Sequence, residues 1–235
     1  MRTVFFGSKG DEPAGEPWEI PIPLNAHELR VLGCLIEKQF LTPDVYPMTM
    51  NGLVTACNQK TSREPVTNYD DYDVDATLVM LQEKGLASKI TGVEYRVPKF
   101  REWFTEKSGL KVSEVAILCV MMLRGAQTMN EIKDRTVRIH QFADDQDVLD
   151  HLDRLMNRSQ PLVVRIGRAA GQREDRYMHL LAGPVDAERL AAAAAPAPAA
   201  PREDRVGKLE AEVSQLKEQV AALEAQFAAF RKQFE

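Results

Sequence analysis

Four kinds of residue in this chain have chemistry to offer. The cysteines are Cys34, Cys57 and Cys119, an odd number set far apart. That pattern argues against a disulfide framework and lacks the short C-x-x-C step of a zinc site. Each lies in an apolar helical pattern, so they read as buried free thiols of a reducing compartment. The histidines His27, His140, His151 and His179 are scattered, with no serine or cysteine at a nucleophile's spacing. His179 falls in a strand pattern, as a packed or surface imidazole. Asp70, Asp71, Asp73 and Asp75 crowd together like a metal loop but lack the glycine and distal glutamate of a calcium-binding EF-hand. No P-loop motif occurs. The expectation is a non-enzymatic protein with no catalytic residue, metal site or cofactor.

Polar and basic residues say more. The stretch CNQKTSREPVTNYDD, residues 57–71, lies between two apolar helical patterns. In a helix-turn-helix protein, the turn and the opening of the third helix meet DNA. Asn58, Gln59, Lys60 and Arg63 have suitable groups, amides for adenine and guanidinium for guanine or phosphate. The aspartates that follow do not, because carboxylates repel phosphates. These four residues therefore read as a loop offered to a partner. Arg63 carries two readings: it pairs with Glu64 or a nearby aspartate to peg the loop, or it contacts a ligand. Pro65 biases Glu64 away from helix and supports a fixed loop shape. A second set is more basic: Lys133, Arg135 and Arg138, then Arg165, Arg168, Arg173 and Arg176. These are the nucleic-acid candidates, since arginines on a hairpin can reach phosphates or a minor groove. The alternative for them is a solvated hairpin with exchanging ion pairs.

The elements that would position these residues recur twice. LNAHELRVLGCLIEKQF from Leu24 resembles LKVSEVAILCVMMLRGA from Leu110. MTMNGLVTAC matches QTMNEIKDRT, and VDATLVMLQEKGLASKI matches VLDHLDRLMNRSQPLVVRI. Each copy predicts a first helix, capped at Asn25 with Glu28 or opening at Ser113. A short second helix follows from Thr49 or Thr128, the latter with Glu131 three residues on as another capping box. The third begins in an aspartate-rich turn, which suits the positive end of a helix dipole. Its buried stripe is Val74, Leu78 and Leu81 in one copy and Val148, Leu152 and Leu155 in the other. A hairpin closes each copy, turning at Gly92 and near Gly171.

Three helices and a terminal hairpin make a winged helix. The expected fold is mainly α with small β-hairpins (α+β), two tandem winged-helix domains and a C-terminal coiled-coil helix. The expected boundaries are a flexible lead-in over 1–23, domains over 24–100 and 101–184, an Ala/Pro-rich linker over 185–204 and the coil over 205–235. The coil's seam is Val206, Leu209, Val213, Leu216, Val220, Leu223, Phe227, Phe230 and Phe234, at alternating steps of three and four. Valine and leucine alternating in the first heptads favour a parallel dimer, while the terminal phenylalanines leave a trimer or antiparallel pair open. A single helix folding back on its own domain is the competing arrangement.

LTPDVYPMTMNGLVTACNQKTSREPV, with LRGAQT and RYMHL further on, resembles the YceH-like family of bacterial proteins. The resemblance spans roughly Leu24 to Leu181. It implies tandem winged helices and brings no catalytic or cofactor residue with it.

A net charge of −5 over 235 residues gives no overall basic field for nucleic acid. No apolar run is long enough for a signal peptide or a membrane span, so the expected location is the cytoplasm. Two functions remain. One is a dimeric, regulator-like DNA-binding protein. The other is a protein–protein adaptor, as tandem winged helices are in chromosome-condensation accessory subunits. The frequency of DNA binding among winged helices tips the sequence narrowly toward DNA. The acidic third helices point the other way.

Overall fold

A computed structural model of the chain describes residues 19–93, 95–168 and 174–185, and also Ser214, Gln215, Lys217, Gln219 and Val220. Helix α1 (Ala26–Leu41) begins where its first amides can be satisfied. Asn25 Oδ1 accepts from Glu28 N, and Glu28 Oε2 accepts from Asn25 N, the capping box expected there. A two-residue strand β1 (Met48–Thr49) leads into α2 (Met50–Cys57), capped by the Thr49 hydroxyl. Helix α3 (Asp71–Glu83) is capped by Asp70, whose carboxylate accepts from Asp73 N. Strands β2 (Ala87–Ile90) and β3 (Lys99–Glu102) close the first half.

Helix α4 (Phe104–Lys107) leads into a second copy of the same order. This copy comprises α5 (Val112–Arg124), β4 (Gln127–Thr128), α6 (Met129–Thr136), α7 (Asp145–Met156), β5 (Val163–Ile166) and β6 (Arg176–His179). Among the described residues there are therefore seven α-helices and two three-stranded antiparallel sheets, ordered β1-β3-β2 and β4-β6-β5. Both halves lie within one compact unit, Met1–Ala192. A second unit spans Ala193–Glu235, and its described residues are helical.

One hydrophobic core runs through both halves. Its centre is the packing of α1 on α5. Every residue of α1 from Glu28 to Glu37 is buried, as is every residue of α5 from Ser113 to Leu123. Helices apolar on all sides belong in an interior. Gly33 permits the close approach: a Cβ there would sit 3.0 Å from Leu123 Cδ2. The predicted stripes Val74, Leu78, Leu81 and Val148, Leu152, Leu155 are all fully buried. All three cysteines are buried and free, as expected.

Four features differ from the sequence reading. Each sheet gains a third strand, β1 or β4, which pairs Met48 with Phe100 and Gln127 with Tyr177. Two residues are too few to show alternation. Helix α5 starts at Val112 rather than at a Ser113 cap, because the Glu114 carboxylate reaches back to Lys111 N at 2.9 Å. The first hairpin does not turn tightly at Gly92, since residues 91–98 separate its strands. The end of the expected lead-in is anchored. Ile20 is buried, and its N–H and C=O both bond the Gln160 side-chain amide.

His179 on β6 is 2 % exposed, and its Nδ1 has no partner. Burial pushes its imidazolium down to about 4, from about 6.5 in an unfolded chain. The folded state thus prefers the neutral ring. Its contribution is complete above about pH 6.5 and is lost as pH falls toward 4. Denaturant titrations across this window should lose on the order of 3 kcal/mol. His179→Leu should flatten the profile. An unchanged slope in that variant would assign the acid sensitivity elsewhere.

Candidate functional site

The loop between α2 and α3 is where the sequence placed its partner-binding residues, and two buried arginines determine its shape. Arg63 is 6 % exposed. Its Nη1 and Nη2 donate to the two carboxylate oxygens of Glu37 at 3.0 and 2.6 Å, while Nε and Nη1 donate to Ala56 O and Ser62 O. The peg predicted for Arg63 is therefore present, with Glu37 of α1 as its partner in place of Glu64 or an aspartate. Burial alone would raise the Glu37 carboxyl. The Arg63 hydrogen bonds and charge, with Lys38, outweigh it and hold the group below the usual carboxylate range. Arg30, also on α1, donates to Cys57 O at 3.1 Å and Pro65 O at 2.6 Å. Asn58 is likewise used inside the loop, since its amide spans Tyr69 N and Tyr69 O. Of the four candidates, Lys60 is exposed and Gln59 half-buried.

The basic set of the second half is largely paired. Lys133 meets Asp145 at 2.6 Å and Arg135 meets Glu131 at 3.2 Å. Arg165 and Arg168 share the Asp175 carboxylate. The Arg165 hydrogen bond first, then both arginine charges, lowers the Asp175 carboxyl. Arg176 donates to Ala126 O at 3.0 Å and lies 3.8 Å from Glu131. Arg138 is exposed. Arg173 lies outside the described residues, as do the coil seam positions except Val220, which is helical and exposed.

The third helices present a different chemistry. Helix α3 contains no lysine or arginine. Its outward positions include Asp71, Asp75 and Glu83 together with Tyr72, Val79 and Met80, of which Tyr72 is 80 % exposed. Beside α3, where it meets α2 and the first hairpin, lies a groove of about 400 Å³. Met50, Val97, Pro98 and Phe100 form its apolar wall, with Asp71 and Asp75 at its acidic edge and Lys89 also lining it. Helix α7 is acidic too, with Asp145, Asp150 and Asp153 outward beside a single cation, Arg154. The sequence reading missed Glu37, Arg30 and the exposed apolar residues of α3, Tyr72, Val79 and Met80. Charges at both ends of the apolar run RVLGCLIE signalled buried partners for the first two.

Among the described residues no cluster of histidine, cysteine or carboxylate side chains could hold a metal. No helix among them is long and apolar enough to cross a membrane.

This arrangement of paired helix–sheet halves coincides with a family whose model, described as a protein of unknown function, DUF480, matches residues 24–172. A UPF0502 protein of Solibacter usitatus is 47% identical over 190 residues, covering 81% of this chain and 91% of that protein. A UPF0502 protein of Mesorhizobium japonicum is 44% identical over 193 residues, covering 82% of this chain and 90% of that protein. The UPF0502 protein YceH of Salmonella paratyphi B is 44% identical over 195 residues, covering 81% and 91%. The chain belongs to this bacterial UPF0502 family, which carries the domain of unknown function DUF480, in agreement with the resemblance seen in its residues.

Proposed function

We propose that the two halves are tandem winged-helix domains acting as a non-enzymatic protein–protein adaptor, and that α3 with its groove is the docking face. The carrying observation is that α3 has no cation, so the helix that reads DNA in a winged-helix reader here shows carboxylates and apolar side chains. Phosphates would be repelled by Asp71, Asp75 and Glu83. A protein segment bearing lysine or arginine beside apolar side chains would find both its complements there. DNA binding, the reading the sequence narrowly favours, retains some support. The hairpin ion pairs of Arg165 and Arg168 are exposed, and such pairs exchange at little cost. Arg138 points outward. These cations flank an acidic α7, which is why the adaptor reading leads.

The C-terminal segment is proposed to form a coiled-coil dimer. The unbroken seam and the helical, exposed Val220 support it. A dimer would present the docking face twice and raise avidity through effective concentration.

A photo-cross-linking residue at position 72 in the full chain should capture a partner protein, and Val79→Asp should abolish the capture. The same residue at exposed position 106 should capture nothing. Fluorescence anisotropy with random-sequence duplex DNA should show no binding at about 150 mM salt. Micromolar affinity that falls steeply with salt would overturn the adaptor reading in favour of DNA. Deleting residues 205–235 should reduce the mass seen in light scattering to that of one chain, and an unchanged mass would remove the coiled-coil dimer.

A further inference from the structure

A second, smaller cavity of about 60 Å³ lies where the two halves meet. Glu37, Leu41 and Ser62 line it from the first half, and Arg124, Arg135 and Arg138 from the second. It has room for about four water-sized groups, enough for a phosphate.

The charges around it do not balance. Glu37 is satisfied by Arg63 at 2.6 Å and Lys38 at 3.2 Å. Arg135 is matched by Glu131 and also donates to the Gln127 side chain. No carboxylate among the described residues lies within 4.0 Å of the Arg124 or Arg138 guanidinium. Arg124 is half-buried. Burial first, then the nearby charges of Arg135 and Arg63, push its guanidinium below its ordinary value, with Glu37 and Glu64 offsetting only part. A half-buried guanidinium without a carboxylate of its own, beside other cations, is costly, and an anion relieves the cost. Ser62, which lines this cavity, is the one non-glycine residue with a positive φ, 62°, among the described residues. Strain of this kind is retained where the surroundings enforce it, often at ligand sites.

We propose that this cavity binds a phosphate dianion, held by Arg124 and Arg138 with Arg135 beside them. Two unmatched guanidinium groups suit two negative charges, and the planar fork of arginine suits phosphate oxygens. This site is independent of the α3 face and of the adaptor reading.

The test is thermal unfolding and titration calorimetry of the full chain with inorganic phosphate, against sodium chloride and acetate at equal ionic strength. Phosphate should raise the melting temperature saturably, and neither control should. Arg138→Gln changes an exposed side chain and should leave the melting temperature without phosphate unaltered, while weakening phosphate binding about tenfold or more. Arg124→Gln should weaken it similarly. A parallel titration with phosphoserine distinguishes sources: matching affinity extends the site to phosphomonoesters, and no response confines it to the free ion. Equal responses to phosphate and chloride, or wild-type binding by Arg138→Gln, would overturn the proposal.

Discussion

The Glu37–Arg63 ion pair is the constraint on which the rest of the structure depends. It joins α1 to the loop that follows α2, across 26 positions of sequence. The same loop bonds the second half through Glu64 N, which donates to Leu123 O at 2.8 Å. Both charged groups are buried, with Glu37 also lining the small cavity between the halves. A buried pair of this kind is stabilising only when its geometry is good and its remaining donors are satisfied. Here the contact is bidentate, and the other Arg63 donor, Nε, goes to the backbone at Ala56 O, with Nη1 also reaching Ser62 O. Removing Glu37 would leave Arg63 charged, buried and without a counterion, and removing Arg63 would leave Glu37 with Lys38 alone.

Fixing the loop this way determines what the surface can offer. Because Arg63 and Arg30 point inward and Asn58 spans the loop's own backbone, the segment that resembles a reading turn is mostly committed to structure. In the proposed adaptor, the partner-facing role falls to α3 and the groove beside it. The aspartates there have two roles. Asp70 and Asp144 cap α3 and α7 by accepting from the third amide of each helix. With their acidic neighbours they also give both helices a negative opening that disfavours phosphate backbones. Helix capping and the acidic character of both helix openings thus follow from the same carboxylates.

Local features were legible in the sequence. Asn25 with Glu28 and Thr128 with Glu131 form the expected capping boxes because a cap involves residues only three apart. The stripes of α3 and α7 were legible through their period. Long-range pairings were not. Nothing local marks Glu37 as the partner of Arg63, or Gln160 as the anchor of Ile20. Strands β1 and β4 are two residues each and exist only because β3 and β6 present an edge. The basic residues of the second half were legible as charges, but their mates were not. Asp175, for one, is the shared counterion of Arg165 and Arg168.

A double-mutant cycle on Glu37 and Arg63, read by denaturant unfolding, tests the central claim most directly. Arg63→Met alone should cost on the order of 3–5 kcal/mol, because it leaves a buried carboxylate with Lys38 as its one remaining cation. Glu37→Leu alone should cost a similar amount. The double variant should recover a large part of the sum, giving a coupling of about 2 kcal/mol or more. If each single change stays within about 0.5 kcal/mol of the wild type, or the two effects simply add, the pair does not hold the loop and the two halves in place.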